Sequence, residues 1–289
     1  MTGKEKLNQG KIYVCGTPIG NLKDITLRVL DIFQQVDLIA AEDTRRTSKL
    51  LNKYDIDTSL TSYHEHNEKE KSNKLLKKIK KGLKLALVSD AGMPGISDPG
   101  FEIINKAVEN EIEVTPVPGP TALIPALVVS GLPMDRFTFQ GFIPRKGDAR
   151  EERLKAIKKS EITNILYESP YRVLDTLKDL NKILENRKVT VVRELTKVHE
   201  EKIYGTISKV IDKLSSRDIK GEIVIVIEGR EEIEVETEGW EDLEILEHVE
   251  LLMKNGYTKK EAIKKVATIR DLPKREVYKE AIAINVNKE

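Results

Sequence analysis

The sequence predicts an α/β protein, and three observations carry that expectation. Short apolar runs bounded by turn residues recur at 11–15, 37–41, 59–64, 83–88, 113–117, 162–167, 188–194, 202–205 and 222–228. Segments with apolar residues at helical spacing separate most of them. One connection, S-D-A-G-M-P-G-I-S-D-P-G over 89–100, holds more glycine and proline than a plain turn needs. Strands alternating with helices through short connections argue for a mostly parallel sheet covered on both faces.

Composition narrows the function classes. A length of 289 residues suggests about two domains. With 39% hydrophobic and 34% charged residues, the chain can bury an ordinary globular core. The formal net charge of +1 gives no global sign of a nucleic-acid partner, so local patches must make that case. No run approaches the ~18 apolar residues of a membrane span, and no secretion signal is expected before Lys11. Cys15 is the single cysteine, which excludes an internal disulfide and fits a reducing cytoplasm. Its place in a strand favours core packing over catalysis.

In the first half, the strand at 11–15 runs into the turn G-T-P-I-G-N-L (16–22). A helix over 26–36 follows, with Leu27, Leu30, Ile32 and Phe33 at apolar positions. The strand at 37–41 ends in E-D-T-R-R-T, and 48–53 continues as a short helix. After the strand at 59–64 comes a basic helix over 68–81, with Leu75, Leu76 and Ile79 on its buried side. Eight lysines between 69 and 84 could hold phosphates, though a solvated face is the plainer reading. The strand at 83–88 leads to the Gly-rich loop, then a helix over 101–108, a strand at 113–117 and the helix-opening turn P-G-P-T-A (118–122).

The second half begins with a less regular stretch, 131–150, in which Phe137, Phe139 and Phe142 interleave with Arg136, Arg145, Lys146 and Arg150. Helices are expected over 151–159, after the turn E-S-P-Y-R (168–172), and over 208–214. Residues 228–247 form an acidic connector with ten Asp/Glu against Arg230, and Trp240 inside it. Three helices complete the chain over 242–289; the second opens with the capping box Thr258–Glu261 and the third follows the break Asp271-Leu272-Pro273. Eight basic residues against three acidic ones between 258 and 279 make this segment +5 and helix-turn-helix-like. The expected domains are therefore 11–120, 121–230 and 242–289.

The 89–100 loop leaves a strand and opens a helix, where open α/β sheets bind ligands. Asp90 stands at the strand exit, facing whatever the loop encloses. Asp98 before Pro99 reads as the N-cap of the next helix rather than as a ligand contact. The first turn fits neither G-x-G-x-x-G nor a phosphate loop, which argues against an NAD or ATP enzyme. In E-D-T-R-R, Asp43 serves equally as a helix cap or in proton handling, and Arg45 and Arg46 suit phosphate or carboxylate groups. His64 and His66 share one face of an extended segment. They fit a hydrogen-bonded strand end, a substrate contact or a base; no third spaced ligand accompanies them, and no metal is expected.

Taken together, G-T-P-I-G-N-L, A-E-D-T-R-R-T (41–47), S-Y-H-E-H-N (62–67), the 89–100 loop, P-V-P-G-P-T-A (116–122), Y-E-S-P-Y-R (167–172) and E-L-T-K-V-H-E-E (194–201) carry a resemblance. The chain from 11 to about 229 resembles the tetrapyrrole-methylase superfamily of S-adenosylmethionine-dependent (class III) methyltransferases. Within it, the chain is most similar to the branch that 2′-O-methylates a cytidine of 16S ribosomal RNA. The resemblance implies two α/β domains with the cofactor in the cleft between them, a helical extension, a homodimer, and the small ribosomal subunit as partner. It assigns S-adenosylmethionine to Pro18, to Asp90, Gly92, Met93 and Ile96, to Thr121 and Ala122, and to Tyr167, Glu168 and Ser169. Asp43 and His64 are then the candidate bases, with Arg45 and Arg46 on flanking phosphates and His66 beside them. Two rivals stand against this reading: a small-molecule, tetrapyrrole-like methyltransferase on the same fold, and a ligand-sensing DNA-binding regulator that reads through the tail.

Overall fold

The computed structural model of the chain describes residues 10–184, 186–230, 242–254 and 257–282. They form one compact unit that ends at Arg230 and a second that follows it.

The first unit holds two five-stranded sheets. One is built from β1 (Ile12–Cys15), β2 (Leu38–Ala41), β3 (Leu60–Ser62), β4 (Leu85–Val88) and β5 (Val114–Val117), in the order β3-β2-β4-β1-β5. All its pairings are parallel, as the alternation predicted. Helices α1 (Leu27–Gln35), α2 (Thr44–Lys53), α3 (Glu68–Ile79) and α4 (Phe101–Glu109) connect the strands. In β4, Ala86 and Val88 pack with Val29, Phe33 and Leu51 on one face, and Leu85 and Leu87 with Leu75, Ile79 and Ile103 on the other. Burial on both faces is why this strand reads as an unbroken apolar run. Cys15 is buried in the first of these layers, and burial pushes its thiol up to about 12.

After α5 (Leu123–Val128), the second sheet contains β6 (Phe137–Phe142), β7 (Thr163–Glu168), β8 (Lys188–Arg193), β9 (Glu201–Thr206) and β10 (Ile223–Ile227), ordered β6-β7-β10-β8-β9. Here only β6 and β7 run parallel; β10 is antiparallel to both neighbours. Helices α6 (Asp148–Lys159), α7 (Val173–Ile183) and α8 (Ile207–Ser215) complete this half. The alternating isoleucines and valines of β10 feed two separate apolar layers, Ile223, Ile225 and Ile227 into one and Val224 and Val226 into the other.

Two expectations change. The stretch read as irregular contains β6, whose bulge between Phe139 and Gly141 breaks the period-2 pattern that marks a strand. Helix α2 begins at Thr44, four residues before 48, because Asp43 caps it.

Among its described residues the second unit has three helices, α9 (Ile245–Lys254), α10 (Lys259–Ile269) and α11 (Lys274–Ala281), around Val249, Leu252, Ile263, Val266 and Val277. The Thr258–Glu261 capping box is present. Buried His248 accepts the Arg270 Nε–H on Nδ1 at 3.2 Å. The middle of the acidic connector, with Trp240, lies outside the described residues. Among those that are described, no helix is long and apolar enough to cross a membrane.

Candidate active site

The Gly-rich loop is held from three sides. Thr17 and Gly92 exchange backbone hydrogen bonds of 2.9 and 3.0 Å, and Thr17 Oγ1 donates to Ser89 O at 3.1 Å. Gly92 does this at φ +88, a conformation that side-chain-bearing residues avoid. Beneath it, the turns after β1 and β5 touch backbone to backbone: a Cβ on Gly119 would stand 2.8 Å from Gly16 Cα. At the exit of β2, Asp90 Oδ1 accepts the Asp43 amide at 2.9 Å and Oδ2 faces Arg46 Nη1 at 3.4 Å.

Between the two sheets the loop encloses a cavity of about 370 Å³. Asp90, Gly92, Met93, Ile96 and Asp98 line its loop side. Phe142, Tyr167, Val192 and Val224 line the side of the second sheet, with Thr121, Ala122, Leu195 and Glu222 at the margins. Every residue that the resemblance assigned to the cofactor lies in this wall except Pro18; its neighbour Ile19 does. The Tyr167 hydroxyl bonds to Thr121 and to the backbone of Leu123, and its ring meets Phe139 and Phe142 edge-on at 4.8 and 5.8 Å. Glu168 and Ser169 border the cavity, but the Glu168 carboxylate is used internally. It accepts from the Ser169 amide at 2.8 Å and the Thr176 hydroxyl at 2.7 Å, and pairs with Arg172 at 3.5 Å.

Asp98 is not a helix cap. Gly100 occupies the capping position of α4, and Asp98 turns into the cavity wall. Burial, then the charges of Glu42 and Asp90, push its carboxyl up to about 6, against a hydrogen bond from Ser89. Glu42 is raised as well, chiefly by burial.

Of the five residues proposed for catalysis, only Arg46 borders the cavity. Asp43 takes the cap position instead. Its Oδ1 accepts the Arg45 amide at 2.9 Å and the Arg45 Nε–H at 3.1 Å, while Oδ2 accepts Nη2–H at 3.0 Å. Those bonds hold its carboxyl below the usual range, and Arg45 itself points to solvent. His64 sits at a hydrogen-bonded strand end. Asn67 Oδ1 accepts the His64 amide at 3.0 Å, which turns Asn67 Nδ2 toward the ring Nε2 at 3.1 Å. Nε2 is therefore taken up by Asn67, and Nδ1 is sealed from solvent with no hydrogen-bond partner among the described residues. His66 lies edge-on to it, 6.0 Å away and exposed. In the aromatic-basic stretch, Arg150 is anchored to Asp179 at 2.9 Å and to Pro144 O at 3.0 Å, whereas Arg145 and Lys146 are exposed.

This architecture, a Gly-rich loop facing a second mixed sheet across an acid-lined cavity, matches a described family. The profile of the tetrapyrrole (corrin/porphyrin) methylases fits residues 11–211. The chain belongs to that family. Two relatives of this methylase, from Halalkalibacterium halodurans and Bacillus subtilis, are each 46% identical to it. They match over 276 and 280 residues, or 95% and 96% of this chain and 96% of each relative. Both bear the name ribosomal RNA small subunit methyltransferase I. The fold agrees with that of cobalt precorrin-4 methyltransferase, at TM-score 0.57 and 18% identity over 75% of this chain and 94% of the other. It also agrees with that of Thermus thermophilus uroporphyrin-III C-methyltransferase in complex with S-adenosyl homocysteine, at TM-score 0.55 and 16% identity over 76% and 97%.

Several wall residues of the methylase were not among those the sequence assigned to the cofactor. Phe142 stood in the aromatic-basic stretch and Leu195 in the 194–201 motif without being assigned to the cofactor, and Glu222, outside every motif, reaches the cavity through strand pairing within the second sheet. Glu42 had a signal, since it adjoins Asp43 in the same motif.

Proposed function

We propose that the protein transfers a methyl group from S-adenosylmethionine to the ribose 2′-hydroxyl of a cytidine in 16S ribosomal RNA of the small ribosomal subunit. The observation that carries this reading is the full-length similarity to relatives named for ribosomal RNA methylation, on a chain whose family-type cavity has a polar mouth.

The cavity suits the methyl donor. Its carboxylates at Glu42, Asp90, Asp98 and Glu222 favour a cation, and Asp98 is raised first by burial and then by the charges of its acidic neighbours. Ile19, Met93, Ile96, Ala122, Phe142 and Val224 offer an apolar bed for an adenine ring. When bound, S-adenosylmethionine supplies an electrophilic methyl on a sulfonium. The protein's work is then to orient, and orientation contributes roughly 7–11 kcal/mol of barrier reduction. Arg46 reaches from the wall toward solvent, where it can hold a phosphate of the RNA, with Arg45, Arg145 and Lys146 as further cations for the backbone. The half-exposed ring of Phe142 gives an unstacked base a surface to lie on.

On this reading 11–120 carries the Gly-rich loop and the substrate side, 121–230 closes the cavity, and 242–289 is an appended helical module. A homodimer and a cytoplasmic location belong to the same reading. The exposed Phe101 and Val108 of α4 support the dimer, which light scattering tests.

The deciding experiment incubates the protein and labelled S-adenosylmethionine with small ribosomal subunits, naked 16S RNA or duplex DNA, and maps the product by mass spectrometry. A 2′-O-methylcytidine in ribosomal RNA supports the proposal. Transfer to a tetrapyrrole alone would move the protein to the small-molecule branch, and salt-sensitive DNA binding without transfer would make it a regulator.

A further inference from the structure

We propose that Glu42 accepts the proton of the substrate hydroxyl, the role for which the sequence offered Asp43 and His64. The inference rests on the reading that the acceptor is a ribose hydroxyl.

Position comes first. Glu42 follows β2 directly, and β2 lies in parallel register beside β4, with Ala41 opposite Val88. The side chain therefore emerges next to the start of the Gly-rich loop and forms part of the cavity wall. Four residues on, Arg46 borders the same cavity and extends to solvent. An RNA phosphate held by Arg46 brings the sugar attached to it to the Glu42 side of the mouth.

Availability comes second. The other carboxylates near the loop are engaged. Asp43 is bound by Arg45 and the α2 amides, Asp90 by the Asp43 amide and Arg46, Glu168 by Ser169, Thr176 and Arg172, and Glu222 by Lys197 at 3.3 Å. Glu42 accepts one hydrogen bond, from the Asp90 amide to Oε2 at 3.3 Å. Among the described residues, no donor bonds its Oε1. Asp98 is the other open acid, but it belongs to the loop itself, on the side assigned to the cofactor.

The surroundings also tune it. Burial and the charge of Asp90 raise the Glu42 carboxyl, while the Asp90 amide, Arg46 and His64 lower it; Asp98 is the remaining charged neighbour. The net result is a stronger proton acceptor than a carboxylate in water. In the step itself, the hydroxyl oxygen forms a bond to the methyl carbon while the carbon–sulfur bond breaks and leaves its electron pair on sulfur. The hydroxyl proton passes to the Glu42 carboxylate and from there to solvent. No further reactant is needed.

Single-turnover methylation of small ribosomal subunits tests this with wild type, E42Q and E42D. Wild type should gain rate with rising pH along a limb above the ordinary carboxylate range. E42Q should lose that limb and about 10²–10⁴-fold in rate, with calorimetric affinity for S-adenosyl homocysteine and KM for subunits within about threefold of wild type. E42D should keep a displaced limb and part of the rate. The inference is overturned if E42Q retains a rate within about threefold of wild type, or if its loss lies wholly in KM or cofactor affinity. It is equally overturned if the E42D limb does not move. Should wild type transfer nothing to ribosomal RNA, the proposed function fails instead, so the two failures are separate.

Discussion

The Asp90 carboxylate accepts the Asp43 backbone amide at 2.9 Å, while the Asp90 amide donates to Glu42 at 3.3 Å. Two strand exits, 47 residues apart in the chain, are thereby laced together at the mouth of the cavity. Removing the carboxylate should loosen both. Asp90→Ala is expected to lose about 1–3 kcal/mol of stability and to weaken binding of S-adenosyl homocysteine. Asp90→Asn keeps an acceptor for the amide and should recover most of the stability. Urea unfolding and calorimetry on the two variants check this.

Asp43 occupies the helix-cap position, one of the two roles its motif offers. As the cap of α2 it satisfies the Arg45 amide, so Asp43→Ala should cost about 1 kcal/mol. Methyl transfer, measured well below the unfolding midpoint, should stay within a few-fold of wild type. A hundredfold loss of rate with unchanged stability would return the proton to Asp43.

The contact between the turns after β1 and β5 admits no side chain. A methyl group at residue 119 would meet the backbone of Gly16 at 2.8 Å, and backbone on both sides cannot give way cheaply. Gly119→Ala should cost about 1–3 kcal/mol. It should also reduce affinity in the cavity, because Thr121 and Ala122 follow directly. Thermal melts with and without S-adenosyl homocysteine separate the two effects.

The helical unit carries its own pH dependence. Burial, and secondarily the Arg270 charge, lower the pKa of His248 in the folded state. An unfolded chain therefore takes up the proton first as pH falls through the usual histidine range near 6.5. Stability of this unit is full above that value and declines below it, down to the folded-state pKa. Protection factors of the α9, α10 and α11 amides, taken relative to the intrinsic exchange rate at each pH, should fall between pH 7 and 5 in wild type, and less so in His248→Phe.

Much of the fold was legible because it is written in local patterns. The run Leu85–Val88, apolar at every position, could only be a doubly covered strand, and the glycines after it could only be a loop with close backbone contacts. β6 was hidden because its bulge at Gly141 spoils the alternation, although a Cβ at that position would stand 3.5 Å from the Ser97 hydroxyl in the Gly-rich loop. The resemblance led to most of the cavity wall, since its motifs lie at strand exits that the topology gathers at one place.

What the sequence determined by itself was the parallel first sheet, the Gly-rich loop and the C-terminal helices, each set by periodicity and turn chemistry within a few residues. The tertiary structure decided the division of labour among the acids. Asp98 reads locally as a cap and becomes a cavity wall; Asp43 and Glu42 are neighbours in one motif and face different surroundings. Desolvation and charge crowding depend on groups brought together from distant segments, and no local pattern encodes that distance.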